Sequence, residues 1–113
     1  MEDCLFCSMA RGQIPVDKLY EDDLVFAIRD ISPQAPVHVM LIPREHIPTA
    51  ADLTAEHGQL LARLYTAATR VAEEEGVLES GYRLAFNVRD AAGQTIYHLH
   101  LHLLGGRRLG PEG

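Results

Sequence analysis

The stretch Tyr97-His98-Leu99-His100-Leu101-His102-Leu103-Leu104-Gly105-Gly106 restricts what this chain can fold into more than any other. Three of the six histidines lie here at a strict spacing of two, with leucines filling the gaps. Side chains alternate faces along a β-strand, so the pattern predicts a strand ending near Leu104. Its imidazoles share one face and its leucines the other, and the Gly-Gly pair marks its end. The leucine face asks for burial. Three imidazoles in register answer no packing need. Beyond a plain half-buried strand, the pattern suits two chemistries. One is a metal site, since His-x-His can place two ligands on one ion. The other is nucleophilic catalysis, in which a neutral imidazole attacks and its neighbours orient it and handle protons.

Other strands are expected on both sides of one long helix. Lys18–Glu21 and Leu24–Ile28 read as two strands joined by a tight turn at Asp22-Asp23. Val37–Pro43 is a mostly apolar, central third strand, and Tyr82–Val88 a fourth. Between them, Thr54 caps a long helix whose buried face carries Leu60, Leu61, Leu64, Ala67, Ala68, Val71 and Ala72. Glu73-Glu74-Glu75 reads as its solvated end and Gly76 as its stop. A short helix over Cys4–Gly12, with Asp3 as N-cap, precedes the first strand. The order predicts an α+β fold: a five-stranded antiparallel sheet with one long and one short helix, in a single domain over residues 1–113 with 108–113 a loose tail.

The chain carries nine arginines, one lysine and a net charge of −6, and no basic run. That speaks against nucleic acid as a partner, so an anion has to be held locally by N–H groups and polar side chains. Met1-Glu2-Asp3 opens without a basic segment and no long apolar run follows, so no membrane association is expected and the expected compartment is the cytoplasm. Cys4 and Cys7 make no secreted disulfide framework. Their spacing places both thiols on one helix face, open to three readings: buried small hydrophobes, a redox pair, or half of a zinc site.

Residues 98–104 match, at every position, the His-φ-His-φ-His-φ-φ signature (φ apolar) of the histidine triad (HIT) family. Asp30-Ile-Ser-Pro-Gln-Ala-Pro-Val-His38, Asn87, Gly93-Gln94-Thr95-Ile96-Tyr97 and Gly105-Gly106-Arg107 resemble its Hint branch, and the likeness spans about residues 4–107. The resemblance implies a HIT-like fold and a homodimer. It further implies a nucleoside phosphoramidate hydrolase acting on purine nucleotides of the adenosine 5′-phosphoramidate type. A nucleotide-binding scaffold with incidental turnover, a dinucleotide polyphosphate hydrolase, and a metal-dependent hydrolase using the three histidines as ligands are the competing readings.

Roles follow from the same resemblance. His100 would attack the α-phosphorus, with the His98 carbonyl fixing its tautomer, His102 donating to the phosphoryl oxygen or leaving group, and His38 serving as proton partner. Asn87, Gly93, Gln94 and Thr95 would hold the phosphoryl oxygens, although Thr95 replaces a frequent Ser. Asp30 would bind the ribose hydroxyls, or merely cap its loop. Leu5, Phe6, Ile14, Ile28 and Ile31 would enclose the base. No metal would be needed for the chemistry. A structural zinc would sit on Cys4, Cys7, His46 and His98. The Trp-containing C-terminus of the family is absent here.

Overall fold

The computed structural model describes residues 4–113. Five strands form one antiparallel sheet: β1 (Tyr20–Glu21), β2 (Val25–Arg29), β3 (Val37–Pro43), β4 (Tyr82–Ala85) and β5 (Leu101–Gly105), in the order β1-β2-β3-β5-β4. The helices are α1 (Leu5–Ala10) and α2 (Gly58–Glu74). Alternation divides the sheet into two working faces. Val25, Ala27, Val39, Leu41, Leu99, Leu101 and Leu103 pack with Leu60, Leu64, Ala67, Ala68, Val71 and Ala72 of α2. Phe26, Ile28, Met40 and Ile42 pack with Phe6 of α1 on the opposite face. The leucines between the histidines thus anchor the triad segment to the α2 core.

The elements differ from their sequence expectations at their ends, for identifiable reasons. Thr54 caps a 3₁₀ turn, Ala55–His57, that runs straight into α2; its hydroxyl accepts from the Glu56 N–H and its own N–H donates to His57 Nδ1. At the other end Gly76 adopts φ +77°, and the N–H groups of Gly76 and Val77 donate to the carbonyls of Glu73 and Ala72. That is the glycine-stopped end anticipated, closed by buried Val77. Glu75 is not merely solvated: Arg29 of β2 forms an ion pair with it, one contact being 2.9 Å. For α1 the N-cap is Cys4, whose thiol accepts from the Cys7 N–H at 3.3 Å; Asp3 lies outside the described residues.

Of the three triad histidines only His102 lies in the ladder. β5 pairs with β3 from Leu41↔Leu101 to Val37↔Gly105, whereas His98, Leu99 and His100 precede the pairing. There the Leu99 N–H donates to the Ile47 carbonyl, and the His98 ring, not a backbone N–H, meets the Pro43 carbonyl at 2.7 Å. β4 stops at Ala85, not Val88: its last ladder pair is Ala85↔His102, and in this register Asn87 and Val88 would lie beyond the start of β5. Past β5, Gly106 turns the chain at φ +91°, where a Cβ would come within 3.0 Å of Pro36 Cβ. The tail has no helix or strand, but Arg83 Nη2 donates to the Gly110 carbonyl at 2.7 Å and lies 3.6 Å from the Glu112 carboxylate. Among the described residues no helix is long and apolar enough to cross a membrane.

Candidate functional site

A cavity of about 600 Å³ opens on the α1 side of the sheet. Leu5, Phe6, Ile28, Asp30, Ile31, His38, Asn87, Gly93, Gln94, Thr95, His100 and His102 line it. Two expected residues do not. Ile14, in the α1–β1 loop, does not line the wall whereas Val16 of the same loop does, and the His98 ring sits behind the cavity. Met9, Met40 and Ala85 also line it, as do Arg83 and Glu112. Met40 follows His38 by two, so strand alternation could have found it; no periodicity points to Val16 or Glu112. Ile31 is 98% exposed at the rim, an unusual position for a large apolar side chain unless something covers it.

Hydrogen-bond partners assign the imidazole tautomers. His100 Nδ1 lies 2.8 Å from the His98 carbonyl, which can only accept. Nδ1 therefore carries the proton and Nε2 keeps its lone pair, the form a nucleophile needs. Phe6 packs against this ring in a T-shaped contact, with centroids 5.4 Å apart. His38 and His102 are diagonal neighbours on paired strands, since Met40 stands opposite His102. The Gln34 N–H donates to His38 Nδ1 at 3.0 Å, so His38 carries its proton on Nε2 and donates it to His102 Nδ1 at 2.8 Å. His102 is left with Nε2–H, a donor. Burial holds the His38 imidazole below its ordinary range, against the pull of Asp30. Burial, then His100 and His38, push His102 down to about 4, again against Asp30.

Asp30 serves two neighbours. Its Oδ1 accepts from the Ser32 N–H at 2.8 Å, the turn-capping role, and its Oδ2 lies 3.4 Å from His38 Nε2. Asp30, His38 and His102 stand close enough to suggest a metal site. The proton on His38 Nε2 argues against one, because that nitrogen offers no lone pair.

The loop from Asn87 to Thr95 divides the expected phosphoryl contacts. The Gly93 and Gln94 N–H groups donate to the carbonyls of Asp90 and Arg89. The Gln94 side chain accepts from the Arg89 N–H at 2.9 Å and donates to the carbonyls of Pro48 and Ile96. Gln94 is therefore a strut of the loop, its polar atoms committed to backbone. The side chains of Asn87 and Thr95 are exposed to the cavity and have no hydrogen-bond partner among the described residues. The strut holds Arg89 at φ 66°, a left-handed conformation unfavourable for a residue with a Cβ.

Behind Phe6, Cys4, Cys7, His46 and His98 bring four donor atoms together. His98 Nδ1 lies 3.2 Å from Cys4 Sγ, 3.5 Å from Cys7 Sγ and 3.2 Å from His46 Nδ1; Cys7 Sγ is 3.4 Å from His46 Nδ1. The His98 Nε2–H donates to Pro43, so its Nδ1 lone pair points into the cluster. Burial pushes that imidazole below its ordinary range and the Cys7 thiol up. Because the His98 ring is committed here and the His100 Nδ1–H to a carbonyl, the three triad rings do not converge on one ion.

A family model described as "HIT domain" matches residues 11–109. The chain is similar to the purine nucleoside phosphoramidase of Escherichia coli K12, at 54% identity over 110 residues, 97% of this chain and 92% of that protein. Among solved structures, a HIT family hydrolase from Legionella pneumophila aligns with a TM-score of 0.95 at 48% identity, covering 98% of this chain and 100% of that one. A histidine triad protein from Clostridium difficile aligns with a TM-score of 0.94 at 34% identity, covering 100% and 98%. Matched over nearly its whole length in sequence and in fold, the chain belongs to the HIT family.

Proposed function

We propose that this protein is a purine nucleoside phosphoramidate hydrolase working through a nucleotidyl-histidine intermediate. The observation that carries the reading is His100, with Nδ1–H held by the His98 carbonyl and Nε2 left to the cavity. The 54% identical relative is named a purine nucleoside phosphoramidase, which supports the substrate class. His100 Nε2 attacks the α-phosphorus; the Nε2–H of His102 faces the phosphoryl oxygen or the leaving nitrogen; Asn87 and Thr95 hold nonbridging oxygens. Asp30 accepts from the ribose hydroxyls through lone pairs its turn does not use. Leu5, Phe6, Ile28 and Ile31, with Met9 and Val16, enclose the base. Water then releases the nucleotide from His100.

Zinc is the metal we propose for Cys4, Cys7, His46 and His98. A tetrahedron with Zn–S near 2.3 Å and Zn–N near 2.0 Å has ligand–ligand edges of roughly 3.3–3.8 Å. The donor contacts of 3.2–3.5 Å match that scale. Four protein ligands would leave no position for water, so the ion would be structural, tying α1 to the sheet. The chemistry would need no other cofactor.

We further read the 113 residues as one domain, acting as a cytoplasmic homodimer. β4 is an edge strand, and an open cavity of about 980 Å³ runs beside it between the end of α2 and Arg107–Leu109. A second copy would cover that edge. The deciding experiment for the enzyme is to mix the protein with an adenosine 5′-phosphoramidate, quench rapidly and map the modification by mass spectrometry. A nucleotidyl adduct on His100 is expected. Binding without adduct or amine release would leave a nucleotide-binding scaffold in its place.

A further inference from the structure

We propose that Asp30 is a positioning residue for leaving-group protonation as well as a partner for the sugar: its carboxylate receives the His38 N–H when His102 takes up a proton. The inference rests on the phosphoramidase reading of the same cavity and extends it.

The geometry is a chain with a branch. The Gln34 N–H occupies His38 Nδ1 at 3.0 Å, so His38 must keep its proton on Nε2. That N–H has two acceptors in reach: His102 Nδ1 at 2.8 Å and Asp30 Oδ2 at 3.4 Å. In the resting chain it points to His102, which is neutral and presents Nε2–H to the cavity. A phosphoramidate asks for more. As His100 Nε2 forms its bond to phosphorus, the P–N bond breaks and its electron pair stays on the leaving nitrogen. That nitrogen must gain a proton to depart as an amine, and a neutral imidazole is a poor acid.

A second proton from solvent, taken at His102 Nδ1 as the anionic phosphoryl group arrives, makes the needed imidazolium. Two N–H groups cannot share one 2.8 Å line. His38 cannot become the acceptor, so its N–H turns to Asp30 Oδ2. His102 then gives its Nε2 proton to the amine and is neutral again, with the proton on Nδ1. In the second half-reaction Nε2 takes a proton from the attacking water, whose oxygen bonds to phosphorus as the P–N bond to His100 breaks. The borrowed Nδ1 proton returns to solvent, and His38 swings back.

The charged and titratable groups around His102 are His100, His38 and Asp30, with Arg29, Arg83 and Glu112 on the same cavity wall; Arg29 is paired with Glu75. Arg83 and Glu112 pair with each other at 3.6 Å. His100 and His38 oppose a charge on His102, and Asp30 favours it.

Asp30→Asn keeps the shape and the Ser32 cap and removes the charge. The test uses 2′,3′-dideoxyadenosine substrates, which offer no sugar hydroxyl, so the clamp role drops out. With an alkylamine phosphoramidate, kcat of Asp30→Asn is expected to fall about 10- to 100-fold, within what a general acid supplies. With the p-nitrophenyl ester, whose phenolate leaves without a proton, the fall is expected to stay under about threefold. In the complex with 2′,3′-dideoxyadenosine 5′-monophosphate, the His102 ¹⁵N titration midpoint is expected to drop by about one pH unit in the variant. An unchanged kcat on the dideoxy amidate makes Asp30 a sugar clamp alone. Equal losses on both leaving groups make it structural. Either overturns the proposal. If wild-type protein cleaves no phosphoramidate, the enzymatic reading fails, and the His102 titration still decides the role of Asp30.

Discussion

Phe6 packs between two groups of histidines that share one His-Leu repeat, His98 falling in one group and His100 and His102 in the other. It makes T-shaped contacts with both His98, centroids 5.7 Å apart, and His100. Behind it, His98 is fully buried and points its Nδ1 at two thiols and His46. In front, His100, His38 and His102 line the open cavity, His100 and His102 with one nitrogen committed to a fixed partner and His38 with both. The residue type is the same and so is the face of the chain. What differs is where the lone pairs go. In the closed group they converge on a point, which suits a metal ion. In the open group they are spent in a directed chain ending at the cavity, which suits proton transfer and nucleophilic attack. The carbonyl of His98 joins the two, since the residue that gives its ring to one group fixes the tautomer of the other.

The comparison breaks most completely at His100. His100→Ala is expected to lower phosphoramidate turnover by on the order of 10³-fold or more, with AMP affinity changed only a few-fold. Steady-state kinetics and equilibrium binding read the two separately. Thermal stability and metal content should not move. A variant that keeps most of its turnover would place the nucleophile elsewhere.

In the closed group the effects reverse. Cys4→Ser removes one of the four donors and the N-cap sulfur of α1. A loss of about 3 kcal/mol, part of what a four-ligand zinc site contributes to folding, lowers Tm by more than about 10 °C. Metal analysis after chelator-free purification should show one zinc per wild-type chain and none in the variant. A metal-free wild type whose two thiols both react under native conditions would mean two free cysteines in a close pocket.

The division between the groups was only half legible in the sequence. Period-two spacing is a local property, so it correctly set Leu99, Leu101 and Leu103 against the α2 core and all three imidazoles on the other face. The same locality supports β3 at Val37–Pro43, recovered to the residue, and the stop at Gly76. What spacing cannot carry is the position of α1, held by contacts between residues 39 to 94 apart in sequence. Without it, the ring of His98 could not be told from a catalytic ring. The Val16 wall depends on α1 as well, in a loop with no periodicity to read. Gln94 was hard to read for a different reason: in sequence a polar residue in such a turn reads as a ligand, and only the fold shows its amide hydrogen-bonded to the loop's own backbone.

A smaller, pH-dependent effect sharpens the contrast within the open group. His102 is held at about 4, against an ordinary value of 6.5. Between those values the unfolded chain binds the proton and the native protein does not, so stability rises with pH in that window and is lost as pH falls from 6.5 toward 4. The linkage is worth roughly 2 kcal/mol between pH 7 and pH 5. His102→Gln should flatten that part of the profile. Acid also protonates the ligands of the closed group, but in both proteins alike, so urea unfolding at each pH is compared as a difference. Parallel profiles would show that His102 is not held neutral.

The smallest expected effect concerns where strain is stored. Among the described residues, Arg89 is the one non-glycine residue with positive φ, and it lies in the loop that presents Asn87 and Thr95. Such a conformation costs about 1–3 kcal/mol, which the Gln94 strut and the turn from Arg89 to Gly93 sustain. Arg89→Gly removes the Cβ conflict but adds freedom to the unfolded chain, costing roughly 0.5–1 kcal/mol. The balance is a net gain of about 1 kcal/mol, or a Tm rise of about 4 °C or more. The loop backbone is held through the Arg89 N–H and carbonyl, which glycine keeps, so kcat should stay within about twofold. Calorimetry and turnover on one preparation separate the outcomes. A lower Tm would show that the Arg89 side chain stabilises the loop. A higher Tm with markedly reduced kcat would show instead that the strained backbone itself sets the positions of Asn87 and Thr95.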